Sequence, residues 1–93
     1  MYLALLYELV DDYLERRGPF RDEHLALARA ADERGELLLA GAFTDPADTA
    51  LLVWRAHRSV VEEFVQHDPY VRNGLVTGWR IREWTVVVGA SAE

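Results

Sequence analysis

No cysteine occurs in the chain, and Met1 is its only sulfur-containing residue. The absence of thiols excludes disulfide bonds, thiolate metal sites, cysteine nucleophiles and redox chemistry on cysteine sulfur. A chain without disulfides is compatible with a reducing compartment. We therefore expect chemistry, if there is any, to depend on nitrogen and oxygen side chains.

Long apolar segments are also missing. The chain opens on MYLALLYELV, an apolar run of residues 1–10 that has no basic segment and continues directly into Asp11 and Asp12. A transmembrane helix needs about 20 apolar residues, and a secretory signal combines a basic start with a cleavage site of small residues. The pattern predicts a cytoplasmic protein with no membrane partner and with a strand at its start.

Positive charge is scarce as well. Ten arginines stand against 16 acidic residues, which gives a formal net charge of −6. The arginines are scattered, with no basic run longer than a pair. A polyanion such as a nucleic acid is a poor partner for such a surface, so nucleic-acid binding is not expected. Ninety-three residues, about half of them hydrophobic, suit one domain spanning residues 1–93.

The hydrophobic pattern predicts four strands and two helices. Residues 20–34 form an amphipathic helix, and Ser59 with Glu62 has the spacing of a capping box that starts a second helix ending at Asp68-Pro69. The apolar runs predict strands over residues 2–10, 36–43, 49–56 and 79–88, with residues 88–93 as a short tail. The order β-α-β-β-α-β predicts a ferredoxin-like α+β fold with a four-stranded antiparallel sheet.

Both faces of this sheet are apolar in sequence. Along the first strand, Leu3, Leu5 and Tyr7 share one side, whereas Ala4 and Leu6 share the other. Two helices can cover only one face, and soluble monomers rarely leave several hundred Å² of apolar surface exposed. Burying about 500 Å² per subunit contributes on the order of 10 kcal/mol before the costs of association. The sequence therefore predicts a homodimer that packs through the open sheet face.

His24 and Asp68 are the leading candidates for chemistry. His24 lies on the sheet-facing stripe of the first helix, and Asp68 closes the second helix. The topology brings these two helix ends together, and a carboxylate on one imidazole nitrogen makes the other nitrogen a better base. The alternatives are a structural histidine bonded to backbone and a helix-stopping aspartate before proline.

Two further residues are candidates for substrate binding. Tyr70 could direct its hydroxyl into the same pocket or fill it as an aromatic plug, and Arg21 could hold a substrate carboxylate or be a solvated charge. His57 and His67 share no metal-ligand spacing with His24, and no glycine-rich phosphate loop occurs. No metal and no cofactor is therefore expected.

Several of these motifs resemble the YciI-like (YCII-related) family over nearly the whole chain. They are R-x-x-H-L at Arg21–Leu25, the step from Gly35 into AGAF, the S-x-x-E helix start, and DPY at Asp68–Tyr70 followed by Gly74. The resemblance implies a dimeric α+β barrel with His24 and Asp68 as the catalytic pair. The chain has Ala42 after Gly41 where members often carry Gly-Pro.

The family is similar to muconolactone isomerases and includes a dehydrochlorinase, which implies proton transfer on a small, often cyclic or aromatic compound. The leading hypothesis is thus a cofactor-free lyase or isomerase using His24 and Asp68. Two alternatives stay open at this point, namely a non-catalytic ligand-binding or accessory dimer and a cofactor-free oxygenase.

Overall fold

Strands and helices follow one another in the predicted order in the computed structural model, which describes residues 1–89. Two single-turn helices, one before the first long helix and one after the second, add to the predicted set. Within the described part of the chain, no helix combines the length and apolarity needed to cross a membrane. The elements are β1 (Tyr2–Leu9), α1 (Tyr13–Arg16), α2 (Gly18–Glu33), β2 (Leu37–Ala42), β3 (Thr49–Trp54), α3 (Arg58–His67), α4 (Pro69–Arg72) and β4 (Val76–Trp84).

The four strands form one antiparallel sheet in the order β2-β3-β1-β4. The register places Leu5 of β1 between Leu52 of β3 and Ile81 of β4. The first and third strands are therefore central, and the second and fourth lie at the edges. This confirms the predicted ferredoxin-like α+β fold.

The helices cover one face of the sheet and create the core there. Alternate residues of β1 point to this face, and all of them are buried. Each such side chain contributes about 1.5–3 kcal/mol of burial free energy relative to exposure. The core joins this row to β3 and to both long helices: Leu3, Leu5, Tyr7, Leu9, Leu52, Trp54, Ala28, Ala31, Val61 and Phe64.

The last strand differs from its prediction at both ends. It spans Val76–Trp84, whereas the apolar pattern predicted residues 79–88. A strand needs a hydrogen-bonded neighbour, and β1 offers partners only from Leu9, opposite Val76, to Tyr2, opposite Trp84. The apolar residues beyond Trp84 have no facing strand. Of the predicted tail over residues 88–93, residues 90–93 lie outside the described part.

The long helices also begin earlier than predicted. Pro19 falls in the first turn of α2, so this helix starts at Gly18 and not at Phe20. The predicted capping box of α3 is wrong: His57, in extended backbone, precedes the helix, and no side chain caps it. Ser59 lies inside the first turn. The predicted end at Asp68-Pro69 is confirmed.

Candidate active site

Helix α2 brings His24 to the sheet. His24 precedes Ala28 by four residues and Ala31 by seven, so all three lie on one stripe of the helix. Both alanines are buried, and the His24 side chain is 13% exposed. The imidazole is therefore held at the boundary between the core and a cavity.

Asp68 is placed by the break between α3 and α4. Pro69 disfavours helical backbone at the residue before it, and Asp68 accordingly has φ −69° and ψ 118°. From this position its carboxylate caps α4 by accepting a hydrogen bond from the backbone N–H of Tyr70 at 3.0 Å. The side chain is fully buried. The helix-stopping role considered for Asp68 is thus real, and it coexists with a second set of contacts.

The predicted pairing of His24 with Asp68 is confirmed as a contact. Nδ1 of His24 lies 2.8 Å from Oδ1 of Asp68, and the hydroxyl of Tyr7 donates to Oδ2 at 2.8 Å. An ionised carboxylate only accepts hydrogen bonds, so Nδ1 carries a proton in this pair, and a neutral ring is the Nδ1–H tautomer. Nε2 then carries the lone pair. It makes no hydrogen bond within residues 1–89.

Tyr7 is a member of the site that the sequence reasoning missed. Burial, followed by the charge of Asp68 and the hydrogen bond to it, raises the pKa of Tyr7 well above its usual range. Its hydroxyl therefore remains a donor at any physiological pH. The signal was present in the sequence, because Tyr7 sits among leucines on the inward row of β1 and a buried tyrosine hydroxyl normally needs a partner.

A cavity of about 160 Å³ opens beside His24. The small side chains of β2 form its wall on the sheet edge, and apolar residues of α2 and β3 complete it. The predicted residues Arg21 and Tyr70 line it together with His24. Three residues that were not predicted also contribute polar groups to its lining: Tyr7, Tyr13 and Arg17.

The ring of Tyr70 packs against the site, as expected of an aromatic plug. Its ring stacks on the imidazole of His24, with centroids 3.8 Å apart and planes inclined by 12°, and it meets Tyr13 edge-on at 5.6 Å. Its buried hydroxyl has no hydrogen-bond partner among the described residues. Burial first, and then the proximity of Tyr13, raise the pKa of Tyr70 to about 12, against the opposing charges of Arg21 and Arg17.

The other histidines lie outside this cavity. His57 precedes α3, and His67 places Nδ1 at 2.8 Å from the backbone carbonyl of Glu63. Over residues 1–89, no three or more histidine and carboxylate side chains lie close enough together to hold a metal ion. The candidate site therefore consists of the His24–Asp68 pair (the dyad) and the neighbouring tyrosines and arginines: Tyr7, Tyr13, Tyr70, Arg17 and Arg21.

Comparison with known proteins indicates the same family that the sequence motifs resemble. The sequence model of the YCII-related domain matches residues 1–85. No curated protein matches the sequence significantly. The family model spans every strand of the sheet and both residues of the dyad.

Among solved structures, the chain is similar to 5-chloro-2-hydroxyhydroquinone dehydrochlorinase (TftG) from Burkholderia phenoliruptrix AC1100, in complex with 2,5-dihydroxybenzoquinone. The TM-score is 0.76, and the alignment covers 92% of this chain and 95% of that one. The sequence identity is 21%, so the likeness is one of fold.

Proposed function

We propose that this chain, which belongs to the YCII-related domain family, is a cofactor-free lyase or isomerase that moves a proton on a small cyclic compound. His24 is the proposed base and acid, and Asp68 orients it. Arg21 and Tyr70 are proposed to bind the substrate. The domain of residues 1–93 is proposed to act as a homodimer.

One observation carries the proposal. The Nδ1 side of His24 is occupied by a fully buried carboxylate, while Nε2 has no hydrogen-bond partner among residues 1–89 and the ring lines a cavity. An imidazole that has one nitrogen fixed by a carboxylate and that lines a cavity has the arrangement of a general base.

The chemistry follows from that arrangement. Nε2 takes a proton from a substrate carbon next to a carbonyl, and the electrons of the broken C–H bond enter an enolate. Asp68 stabilises the imidazolium through the Nδ1–H bond. In a lyase the enolate expels a leaving group with its bonding electrons from the neighbouring carbon. In an isomerase His24 returns the proton to a different carbon.

The named ligand of the structural neighbour supports the substrate class. TftG is described as a dehydrochlorinase and is seen with a dihydroxybenzoquinone, which is a single-ring compound. The cavity here is bounded by aromatic rings, among them Tyr70 stacked on His24. A planar ring fits such surroundings through stacking and edge contacts.

The proposal is tested by proton exchange in D₂O. 2,5-Dihydroxybenzoquinone and cyclohexane-1,3-dione both carry C–H groups that exchange through keto and enol forms, and ¹H NMR follows the loss of their signals. We expect the protein to accelerate exchange of at least one of them, by on the order of 10²-fold or more. His24→Asn should reduce exchange to the uncatalysed rate, because its amide replaces Nδ1–H but supplies no base.

His67→Asn is the matched control, since it makes the same change on a histidine outside the cavity. The His67→Asn protein should accelerate proton exchange of the compounds as much as the unmodified protein does. Equal acceleration by His24→Asn and the unmodified protein would refute the role of His24. His24→Asn is a cleaner test than a change at Asp68, because Asp68 also satisfies Tyr7 and the N-terminus of α4.

A ligand-binding or accessory dimer is the second candidate function. It is favoured by the buried hydroxyl of Tyr70, which has no hydrogen-bond partner in the described part of the chain and which a ligand could satisfy without any reaction. Binding of either compound with no accelerated exchange would support this function. The same result would remove the lyase or isomerase assignment for these compounds.

The proposed dimer packs through the sheet face opposite the helices. The register places Ala4, Leu6 and Leu51 at the centre of this face. Leu39 at the β2 edge is 72% exposed, and Trp84 at the end of β4 is 46% exposed. Covering this apolar surface with a second copy would remove it from water.

A further inference from the structure

Tyr7 connects the sheet to the carboxylate that orients His24. It lies on the inward row of β1, is 1% exposed, and donates from its hydroxyl to Oδ2 of Asp68 at 2.8 Å. Oδ1 of the same carboxylate lies 2.8 Å from Nδ1 of His24 and accepts the backbone N–H of Tyr70 at 3.0 Å. The two carboxylate oxygens are therefore held by different elements of the fold, with the sheet on Oδ2 and the helices on Oδ1.

The hydroxyl of Tyr7 acts through Asp68 and not on a ligand. Tyr7 lines the cavity, but the proton of its hydroxyl is committed to the hydrogen bond with Asp68. Burial, together with the charge of Asp68 and this hydrogen bond, raises the pKa of Tyr7 well above its usual range, so the hydroxyl does not lose that proton. Any influence of Tyr7 on His24 is thus carried by the carboxylate between them.

The donors around a carboxylate determine how strongly it attracts a further proton. Each hydrogen bond to the ionised form stabilises its charge, so a carboxylate with several donors is a weaker base than one with few. A buried hydrogen bond is electrostatically stronger than one in water, which enlarges the effect at Asp68. The Tyr7 hydroxyl on Oδ2 therefore weakens the attraction of Oδ1 for the Nδ1 proton of His24.

This attraction becomes important once His24 has taken a proton on Nε2. Both ring nitrogens then carry protons, and the proton on Nδ1 is more acidic than in the neutral ring. Transfer of that proton to Asp68 would leave a neutral ring protonated on Nε2, which is a poor acid. A ring that keeps both protons is a cation, and it returns the Nε2 proton to a substrate carbon more readily.

We propose that Tyr7 is a positioning residue that keeps the Nδ1 proton on His24 throughout the reaction, because its hydroxyl occupies Oδ2 of Asp68. The proposal deepens the function proposed above and rests on it for the step in which the proton is returned. The three residues are in contact without a substrate. The position of the proton is therefore measurable in the free protein.

Long-range ¹H–¹⁵N correlation NMR of His24 tests the proposal, because the ¹⁵N resonance of Nδ1 shows whether its proton is on nitrogen. Spectra are recorded before and after acidification has protonated Nε2. We expect Tyr7→Phe to move the Nδ1 resonance towards that of an unprotonated nitrogen, most of all in the doubly protonated ring. Tyr70→Phe is the matched control, since it removes a hydroxyl that does not bond to Asp68 and keeps the backbone N–H that does. Its Nδ1 resonance should match that of the unmodified protein.

A second variant keeps the test independent of any disturbance of the fold. Replacing Tyr7 by 3-fluorotyrosine retains the ring and the hydroxyl, and the electron-withdrawing fluorine makes that hydroxyl a stronger donor. The Nδ1 resonance should then move in the opposite direction from that in Tyr7→Phe. A purely structural role for Tyr7 would not produce opposite displacements in the two variants.

Proton exchange in D₂O measures the kinetic consequence. At saturating concentrations of the two cyclic compounds, Tyr7→Phe should exchange their protons about tenfold more slowly, which is part of the roughly 10²–10⁴-fold that acid–base catalysis contributes. The concentration that gives the half-maximal rate should stay the same, because Tyr7 does not donate to the ligand.

The two measurements separate the role of Tyr7 from the proposed function. Unmoved Nδ1 resonances in both Tyr7 variants would overturn the role of Tyr7, even where the unmodified protein accelerates exchange. Opposite displacements in a protein that accelerates no exchange would support the control of the Nδ1 proton by Tyr7 and remove the lyase or isomerase assignment for these compounds.

Discussion

At the residue scale, the site is organised around one buried carboxylate. Asp68 accepts hydrogen bonds from His24, Tyr7 and the backbone of Tyr70, so a charge taken out of water is surrounded by donors. The hydrogen bond between His24 and Asp68 also fixes the orientation of the imidazole ring. Tyr7 is part of this arrangement although 61 residues separate it from Asp68 in the chain.

Tyr7→Phe should destabilise the fold by about 1–3 kcal/mol at neutral pH, because a buried carboxylate oxygen loses its donor. Tyr70→Phe is the matched control. It removes a hydroxyl that has no partner within residues 1–89, so we expect a change within about 0.5 kcal/mol or a slight gain. Urea unfolding measures both. Equal losses in the two variants would contradict the role given to Tyr7.

The raised pKa values of Tyr7 and Tyr70 predict how the stability of the fold changes at alkaline pH. Tyrosines in the unfolded chain lose their protons near pH 10, whereas folded Tyr70 holds its proton to about pH 12 and folded Tyr7 to higher pH. Above pH 10 the folded protein therefore binds more protons than the unfolded chain, so the free energy of unfolding falls as pH rises. The loss approaches about 1.4 kcal/mol per pH unit for each tyrosine. Tyr7→Phe should therefore show a shallower decline than the unmodified protein.

At the element scale, the main strands and helices were predictable because each carries its own hydrophobic period. The single-turn helices were not predicted, since they depend on their surroundings. Helix α4 starts where Asp68 caps it and Pro69 supplies its first residue. Asp68-Pro69 predicts the end of α3, and the same two residues also start α4, which the sequence pattern did not indicate. Helix α1 gave no comparable signal in a segment rich in charge.

The predicted ends of strands and helices were wrong where another part of the chain determines them. The end of β4 depends on how far β1 extends, which the local apolar run over residues 79–88 does not encode. The predicted capping box was wrong because His57 occupies the position before α3, which places Ser59 inside the helix. By contrast, the meeting of His24 with Asp68 followed from topology, since both long helices cover the same face.

At the scale of the whole molecule, the two faces of the sheet have different roles. One face, under the helices, builds the core and the cavity. The other carries apolar residues with no covering element in the described part of the chain, among them Leu39 and Trp84. The homodimer proposed above accounts for this second face, and a two-fold interface would bury each residue twice.

Leu39→Glu should weaken the dimer by at least tenfold in dissociation constant, because each interface would bury two unpaired carboxylates. Leu14→Glu is the control: Leu14 is a similarly exposed leucine, but it lies on α1 and not on the sheet. Sedimentation velocity at micromolar concentration measures both variants. A monomeric unmodified protein, or a Leu39→Glu protein that associates normally, would rule out this interface.

The orientation of the His24 imidazole underlies the function proposed for the chain. Long-range ¹H–¹⁵N correlation NMR of the imidazole distinguishes its two tautomers directly. When the ring is neutral, the hydrogen bond to Asp68 predicts the proton on Nδ1 and a bare Nε2. A neutral ring protonated on Nε2 would contradict this prediction, because Nε2 would then have no lone pair with which to accept a proton.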